Sequence, residues 1–283
     1  MKYKDFDLTQ YNSYRIKSVA RTAILPDSLP ELTEVLQEYP ESIVRGGGNN
    51  IILTKPIYEI PFVICGHNLS GYETDGNKFI AQCGISMQEL SVIIADNGFI
   101  DFETFYDIPG FIGGGICMNA GAGEQFISDH IVCVEAFDLN TRNVRCFSKQ
   151  ECSFGYRDSV FKRNNNLIIL RATFSFDKTD DPNIIRDRMN AIKSKRWQKQ
   201  PREYPNAGSV FKRPEGHFVG TMIQELGLKG YSVGGAEVSE KHAGFIVNKG
   251  NATGQDVIFL IKYIQTRVRE AYGVSLELEQ IVI

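Results

Sequence analysis

Ile108–Glu124 reads IPGFIGGGICMNAGAGE and holds six glycines and two alanines in seventeen residues. Glycine weakens helix and strand alike, so a cluster this dense implies a backbone that approaches something large and polar. Successive N–H groups in such a segment can act as donors to an anion. Pro109 presets a turn and Asn119 offers an amide. A second segment, Arg45–Asn50 (RGGGNN), repeats the theme after a short apolar strand. Each segment alone also reads as a tight turn. Together, in separate parts of one chain, they suggest a cofactor that carries a pyrophosphate. Neither matches G-x-G-x-x-G with a distant acid, and no Gly-Lys-Ser/Thr follows either one as in a P-loop. A nucleotide held by another route is therefore expected.

A chain of 283 residues is long for one core, so two or three domains are expected. Apolar residues make up 42% and charged residues 23%, the balance of a soluble globular protein. Net charge is −3, from 31 basic and 34 acidic residues, with no block of one sign to suggest a nucleic-acid partner. The nearest approach to a basic patch is Lys193, Lys195, Arg196, Lys199 and Arg202. It reads as the solvated face of a helix, with a small anionic ligand as the alternative. Cys65, Cys83, Cys117, Cys133, Cys146 and Cys152 form no C-x-x-C pair and no zinc spacing, and read as buried free thiols of a reducing compartment. His67, His130, His217 and His242 share no ligand spacing, so no metal is expected. Met1–Gln10 is polar, and no apolar run reaches the roughly eighteen residues of a membrane span. The expected location is cytoplasmic, with no membrane insertion.

Ser28–Tyr39 carries Leu29, Leu32, Val35 and Leu36 at helical spacing and stops at Pro40. Ile43-Val44, Asn50–Leu53 and Phe62–Cys65 read as short strands around RGGGNN. From about residue 68 the texture changes. Lys78–Cys83 is a strand, and Ser86-x-x-Glu89 is a capping box for a helix closed by Gly98. Ile131–Leu139 and Val144–Phe147 are strands joined by the turn Asn140–Asn143, and Leu167–Phe176 is the longest strand. Asp181-Pro182 opens a connector helix to about Lys199. Beyond it are expected a helix near Phe218–Leu226, a strand at Gly244–Asn248, a helix over Thr253–Tyr272 ended by Gly273, and a final strand, Val274–Ile283.

Three segments stand apart as chemistry. In Phe154–Lys162 (FGYRDSVFK), Tyr156 and Arg157 are candidates for an anion site, since a guanidinium binds a carboxylate bidentately; the alternative is a surface Arg157 paired with Asp158. In Pro205–Pro214 (PNAGSVFKRP), Ser209 follows Asn-Ala-Gly, with little bulk around its hydroxyl. Nucleophile, proton donor, helix cap and turn residue all remain open. No G-x-S-x-G elbow and no evident base accompany it, which weakens a hydrolase reading. Proton donation needs only position and a relay. In the final strand Glu277 and Glu279 share one face by alternation, beside Leu276, Leu278 and Val282. They read either as a solvated face or as a carboxylate poised for proton transfer. His217 and His242 read as structural, or as peripheral to a ligand.

Taken in order, Tyr11–Arg15 (YNSYR), Arg45–Asn50, Ile108–Ala122, Phe154–Lys162, Asn206–Arg213, Lys229–Ala236 (KGYSVGGA) and Leu276–Val282 resemble the UDP-N-acetylenolpyruvoylglucosamine reductases, a family of flavoenzymes. The resemblance runs over nearly the whole chain. It implies an α+β fold, with a two-part FAD-binding module of the vanillyl-alcohol-oxidase type and a C-terminal α+β substrate domain. The segments implied are 1–67, 68–180 and 181–283, the last with the connector helix and a final strand free to return to the first segment. FAD is the implied cofactor, NADPH the implied co-substrate and a nucleotide sugar the implied partner. The expected FAD contacts are Arg45, Gly46, Gly47, Gly48, Asn49 and Asn50, together with Pro109, Gly110, Gly113, Gly114, Gly115, Asn119, Ala120, Gly121 and Ala122.

By the same resemblance Ser209 is the proton donor, and Arg157 and Glu279 polarise the substrate carboxylate, the glutamate acting in its protonated form. Tyr156, Lys212 and Arg213 are the implied substrate contacts. Asn12-Ser13-Tyr14 stands where Asn-Thr-Phe is commoner, and Asn49 where serine is frequent. Fifty-one residues separate Arg157 from Ser209, which leaves no room for the extra subdomain and tyrosine-bearing loop of the longer family branch. The chain resembles the shorter branch. Two other functions stay open on the residues themselves. A related flavoprotein oxidase would keep both glycine-rich segments without needing Ser209, Arg157 and Glu279 together, and a nucleotide-sugar binding protein would have lost its flavin.

Overall fold

A computed structural model describes residues 1–283. The fold is α+β, as expected, and the chain divides into two compact units that interleave along the sequence. One comprises Met1–Tyr3, Thr22–Gly47 and Ile60–Arg196; the other comprises Lys4–Arg21, Gly48–Glu59 and Trp197–Ile283. No helix is long and apolar enough to cross a membrane.

In the first unit, Ala23 and Ile24 pair in parallel with Phe62 and Val63, which pair in parallel on their other side with Ile43 and Val44. The helix Leu29–Glu38 lies between these strands in the chain. Its start is fixed by Ser28, whose hydroxyl accepts from the Glu31 amide, and by a proline in its first turn. Leu32 and Leu36 project from one face into the core. A five-stranded antiparallel sheet follows, in the order Asn143–Ser148, Ile131–Asp138, Leu167–Ser175, Lys78–Gln82, Tyr72–Asp75. Its buried side meets the helix Met87–Asp96, whose cap is Ser86 accepting from the Glu89 amide. Phe79, Phe102, Phe174 and Phe176 meet edge to face in this core. The helix Pro182–Lys199 buries Ile185 and Met189 against Ala95. Its basic cluster is not wholly solvated: Arg196 Nε meets Asp107 Oδ2 at 2.9 Å, and both side chains are largely buried.

In the second unit, Gly254–Tyr272 is the longest helix. Thr253 and Asp256 form its capping box, and Gly273 ends it in the left-handed conformation at φ 69°. Val257, Leu260, Ile261, Ile264 and Val268 form its buried stripe. Ser232–Val233, Ala236–Val238 and Ile246–Asn248 make a three-stranded antiparallel sheet. The final strand is shorter than expected. Only Ile281–Val282 is regular, because its parallel partner is the two-residue strand Ile51–Ile52. The alternation before it holds, with Leu276 and Gln280 buried and Glu277 exposed.

All six cysteines are free; Cys65, Cys83 and Cys152 are buried as expected, whereas Cys117 and Cys133 are only half-buried. Cys146 is exposed instead, because it lies on the edge strand Asn143–Ser148, which sends only Phe147 into the core. His130 stacks on Phe176 at 4.6 Å and its Nε2 meets the Asp101 carbonyl at 2.9 Å. Burial lowers the pKa of His130, and likewise that of His242. A histidine with a depressed folded-state pKa binds its proton more readily when unfolded. Its stabilising contribution is therefore complete above the unfolded value of about 6.5 and is lost as pH falls from there through the folded value. Thermal unfolding should show Tm dropping between about pH 7 and pH 5, with a shallower drop in His130→Gln. An equal drop in that variant would assign the dependence to other groups.

Candidate active site

The glycine-rich segment is partly helical, not a plain loop. Ile112–Cys117 forms a short helix, followed by Gly121–Ala122 paired antiparallel with Gln125–Phe126. Several of its amides are engaged within the fold: Ile112 donates to Ile85 at 2.9 Å, Gly113 to Cys83 at 2.9 Å and Ala120 to Gly115 at 2.7 Å. Gly110 has φ +122° and its carbonyl accepts from the Met87 amide, so Pro109-Gly110 turns the chain toward the capped helix. At Gly121 a Cβ would stand 2.2 Å from the Gln125 carbonyl oxygen, so glycine is required there by the protein's own packing. At Gly114 a Cβ would meet nothing within 4 Å, so that side of the short helix is open.

Arg157 borders this segment. Its Nη2 donates to the Gly121 carbonyl at 2.8 Å and its Nη1 reaches the Asn119 carbonyl at 3.5 Å. Asp158 pairs with Arg163. Tyr156 is exposed, with the Arg157 guanidinium 5.3 Å from its ring centroid. Asn119 is buried; its Nδ2 donates to the Gly155 carbonyl at 2.8 Å and its Oδ1 accepts from the Ser128 amide at 3.3 Å. The Asn119 side chain thus ties the two motifs together. Lys162, which sequence reasoning did not single out, donates from Nζ to the Arg157 carbonyl at 2.9 Å.

Arg45 opens the RGGGNN segment in the same unit. Its Nη1 donates to the Val44 carbonyl at 2.7 Å, while its Nε is buried with no hydrogen-bond partner. Burial lowers its pKa. Burial pushes the half-buried Cys117 thiol up to about 11, with Arg45 and then Lys162 acting in the opposite direction. Arg45 and Lys162 therefore lie within electrostatic reach of the C-terminal end of the glycine-rich helix. A buried guanidinium nitrogen without a partner is costly and suits an anionic group that would satisfy it. Gly46 packs near Phe111, and Gly47 is half-buried.

The second unit holds the rest of RGGGNN and the two remaining candidate catalytic side chains. Gly48 has φ +67°, and a Cβ there would stand 2.0 Å from the Tyr11 carbonyl oxygen. Asn49 donates to the Ser13 hydroxyl at 2.9 Å, and Asn50 donates to the Glu279 carbonyl at 3.0 Å. The backbones that carry Ser209 and Glu279 are neighbours here through Val210. Ser209 bridges Phe245, the Val210 amide donates to Gly244, and the Glu279 amide donates to the Val210 carbonyl at 3.0 Å. Ser209 is exposed and Glu279 half-buried. Lys212 pairs with Glu277 at 2.5 Å, which separates the roles of the two neighbouring glutamates. The Arg213 guanidinium lies 3.9 Å from the Phe218 ring centroid. His242 accepts from the Gly244 amide at 3.1 Å, a structural contact one residue from the partner of Ser209. Arg157 belongs to the other unit.

Tyr14 and Gln280 lie within two of the motifs but are not among the candidate site residues. Both are buried, and the Tyr14 hydroxyl donates to Gln280 Oε1 at 3.0 Å. The YNSYR motif is a device for this placement. Asn12 folds the loop on itself through Leu8 and Ile16, and Asn248 Nδ2 fixes the Tyr14 carbonyl at 2.8 Å.

Residues 200–283 match the family model described as UDP-N-acetylenolpyruvoylglucosamine reductase, C-terminal domain. The UDP-N-acetylenolpyruvoylglucosamine reductase of Francisella tularensis is 38% identical over 278 residues, covering 98% of this chain and 98% of the relative. That of a Thermotoga species is 41% identical over 276 residues, covering 96% of this chain and 90% of the relative. The crystal structure of the Thermus caldophilus UDP-N-acetylenolpyruvylglucosamine reductase matches with a TM-score of 0.82 at 27% identity, covering 100% of this chain and 98% of that one.

Proposed function

The chain belongs to the UDP-N-acetylenolpyruvoylglucosamine reductase family, and from that premise we propose that it reduces UDP-N-acetylglucosamine enolpyruvate to UDP-N-acetylmuramate with NADPH and a bound FAD. It is an oxidoreductase, a UDP-N-acetylmuramate dehydrogenase, and acts on a small-molecule precursor of the cell wall. The observation that carries the proposal is 38% identity spanning 98% of both chains.

The residues present fit FAD. The partnerless Arg45 Nε suits a pyrophosphate oxygen, and the short helix leaves its backbone uncovered at Gly114. When bound, FAD supplies hydride uptake from NADPH and hydride delivery to the enolpyruvyl methylene carbon. Ser209 then gives its hydroxyl proton to the carbon that bears the carboxylate and the ether oxygen, which completes the lactyl group. Its exposed position lets solvent return that proton. Arg157 and Glu279 act on the substrate carboxylate, where negative charge grows during hydride addition. The half-buried Glu279 is fixed through its own backbone, by Asn50 on one side and Val210 on the other. Tyr156, Lys212 and Arg213 are proposed contacts to the nucleotide sugar, and the cytoplasm is the proposed place of action.

Anaerobic stopped-flow absorbance in the flavin band tests this reading. NADPH should bleach the purified holoprotein, and UDP-N-acetylglucosamine enolpyruvate should rapidly restore the colour. Bleaching that the enolpyruvyl sugar fails to reverse would point to a different oxidant.

A further inference from the structure

Gln280 follows Glu279 and is only 4% exposed, yet it is polar and makes contacts on both ends of its amide. Its Oε1 accepts from the fully buried Tyr14 hydroxyl at 3.0 Å. Its Nε2 reaches the carbonyls of Ala207, Gly208 and Ser209 at 3.1, 3.2 and 3.4 Å. Carbonyls only accept, so the amide nitrogen must face the turn and the oxygen must face the tyrosine. Burial pushes the Tyr14 phenol well above its usual range, so it remains a donor at any ordinary pH. The tyrosine is itself anchored: Asn248 donates to its carbonyl at 2.8 Å, and the Asn248 amide donates to Pro205 at the start of the same loop at 2.8 Å.

The Ser209 side chain is exposed, so its position comes from the backbone that carries it. Gly208 has φ +79° with nothing within 4 Å of a built Cβ, and packing does not hold the chain there. Hydrogen bonds do. The Gly208 amide donates to Asn206 Oδ1 at 3.1 Å, and the Gln280 amide spans the three carbonyls beneath. An apolar pair of similar volume at positions 14 and 280 would fill the space but leave the carbonyls of residues 207–209 without this donor. The polar pair adds orientation.

We infer that Gln280, oriented by Tyr14, is a positioning residue that sets the Ser209 hydroxyl for proton delivery. The inference rests on the proton-donor reading of Ser209. Its test compares Gln280→Met, Tyr14→Phe and the double variant as FAD-loaded holoenzymes. The readouts are kcat and KM with UDP-N-acetylglucosamine enolpyruvate, Tm, and hydrogen exchange over residues 205–211. Gln280→Met should lower kcat by about 10-fold or more with KM changed less than about 3-fold. Tyr14→Phe should have the same direction and a smaller effect. Each single variant leaves a buried partner unpaired, so each should lose roughly 3–8 °C in Tm. The double variant should regain only the part of that Tm lost to the unpaired Tyr14 hydroxyl, not the part lost with the bonds to the carbonyls of 207–209, while keeping the low kcat and fast exchange in 205–211. Recovery of kcat together with Tm in the double variant, or native kcat in Gln280→Met, would overturn the inference. Ser209→Ala run in parallel separates the two ideas. A slow Ser209→Ala beside a native Gln280→Met removes the positioning role alone, whereas a native Ser209→Ala removes the proton donor and the positioning role with it.

Discussion

Ser209→Ala should leave bleaching of the flavin by NADPH nearly intact and slow reoxidation by the enolpyruvyl sugar by roughly 10²–10⁴-fold, the usual worth of a positioned proton donor. The structure makes this substitution a clean deletion of one oxygen. The Ser209 side chain is exposed, and the main-chain contacts that hold it run through its neighbours: Val210 to Gly244, Glu279 to Val210, and Gln280 to the carbonyls of residues 207–209. Alanine keeps all of these, so the change in stability should stay within about 0.5 kcal/mol. Rapid mixing resolves the two half-reactions on one protein. If both slow equally, Ser209 contributes to flavin or nucleotide binding in general. If neither slows, another group delivers the proton.

What the sequence showed and what it hid differ in range. Helix ends were legible because capping is a local bargain between residues three or four apart. The Ser86 cap, without the reciprocal Glu89 half of a box, and the terminating Gly273 fall where their chemistry places them. Lys2–Asp7 and Val19–Ile24 escaped notice for the opposite reason. The first has almost no buried face and so no alternation to detect. The final strand was overestimated because its length is set by Ile51–Ile52, more than two hundred residues earlier. The density of glycine between Ile108 and Glu124 suggested a bare loop. Part of it is helix, and Gly121 answers to Gln125 of the same protein. The candidate site residues could be named from their motifs, but the contacts that support them could not. Tyr14 and Gln280 meet across 266 positions, and a departure such as Tyr14 for the commoner Phe acquires a physical reason only once its partner is seen.

Arg157→Lys should be nearly as damaging as loss of the serine, lowering turnover of the enolpyruvyl substrate by roughly 10²–10³-fold, the effect of removing one fixed donor from a developing negative charge. The guanidinium carries five donors in a planar fork, whereas lysine carries three on a single atom at the end of a flexible stem. In this chain the fork is aimed by its surroundings. Arg157 sits at φ +54°, its Nη2 bonds the Gly121 carbonyl at 2.8 Å, and Lys162 holds its own carbonyl at 2.9 Å. A lysine head that keeps the Gly121 contact has no second, coplanar nitrogen to offer a carboxylate. The same contact raises a competing explanation, that Arg157 merely braces the glycine-rich segment and so supports the cofactor. FAD titration of the apoprotein separates the two. Bracing predicts weakened FAD binding and activity restored by saturating FAD. Action on the substrate carboxylate predicts FAD affinity within about 3-fold of native and a turnover defect that no amount of FAD repairs. Near-native turnover in Arg157→Lys would remove the arginine from the chemistry altogether.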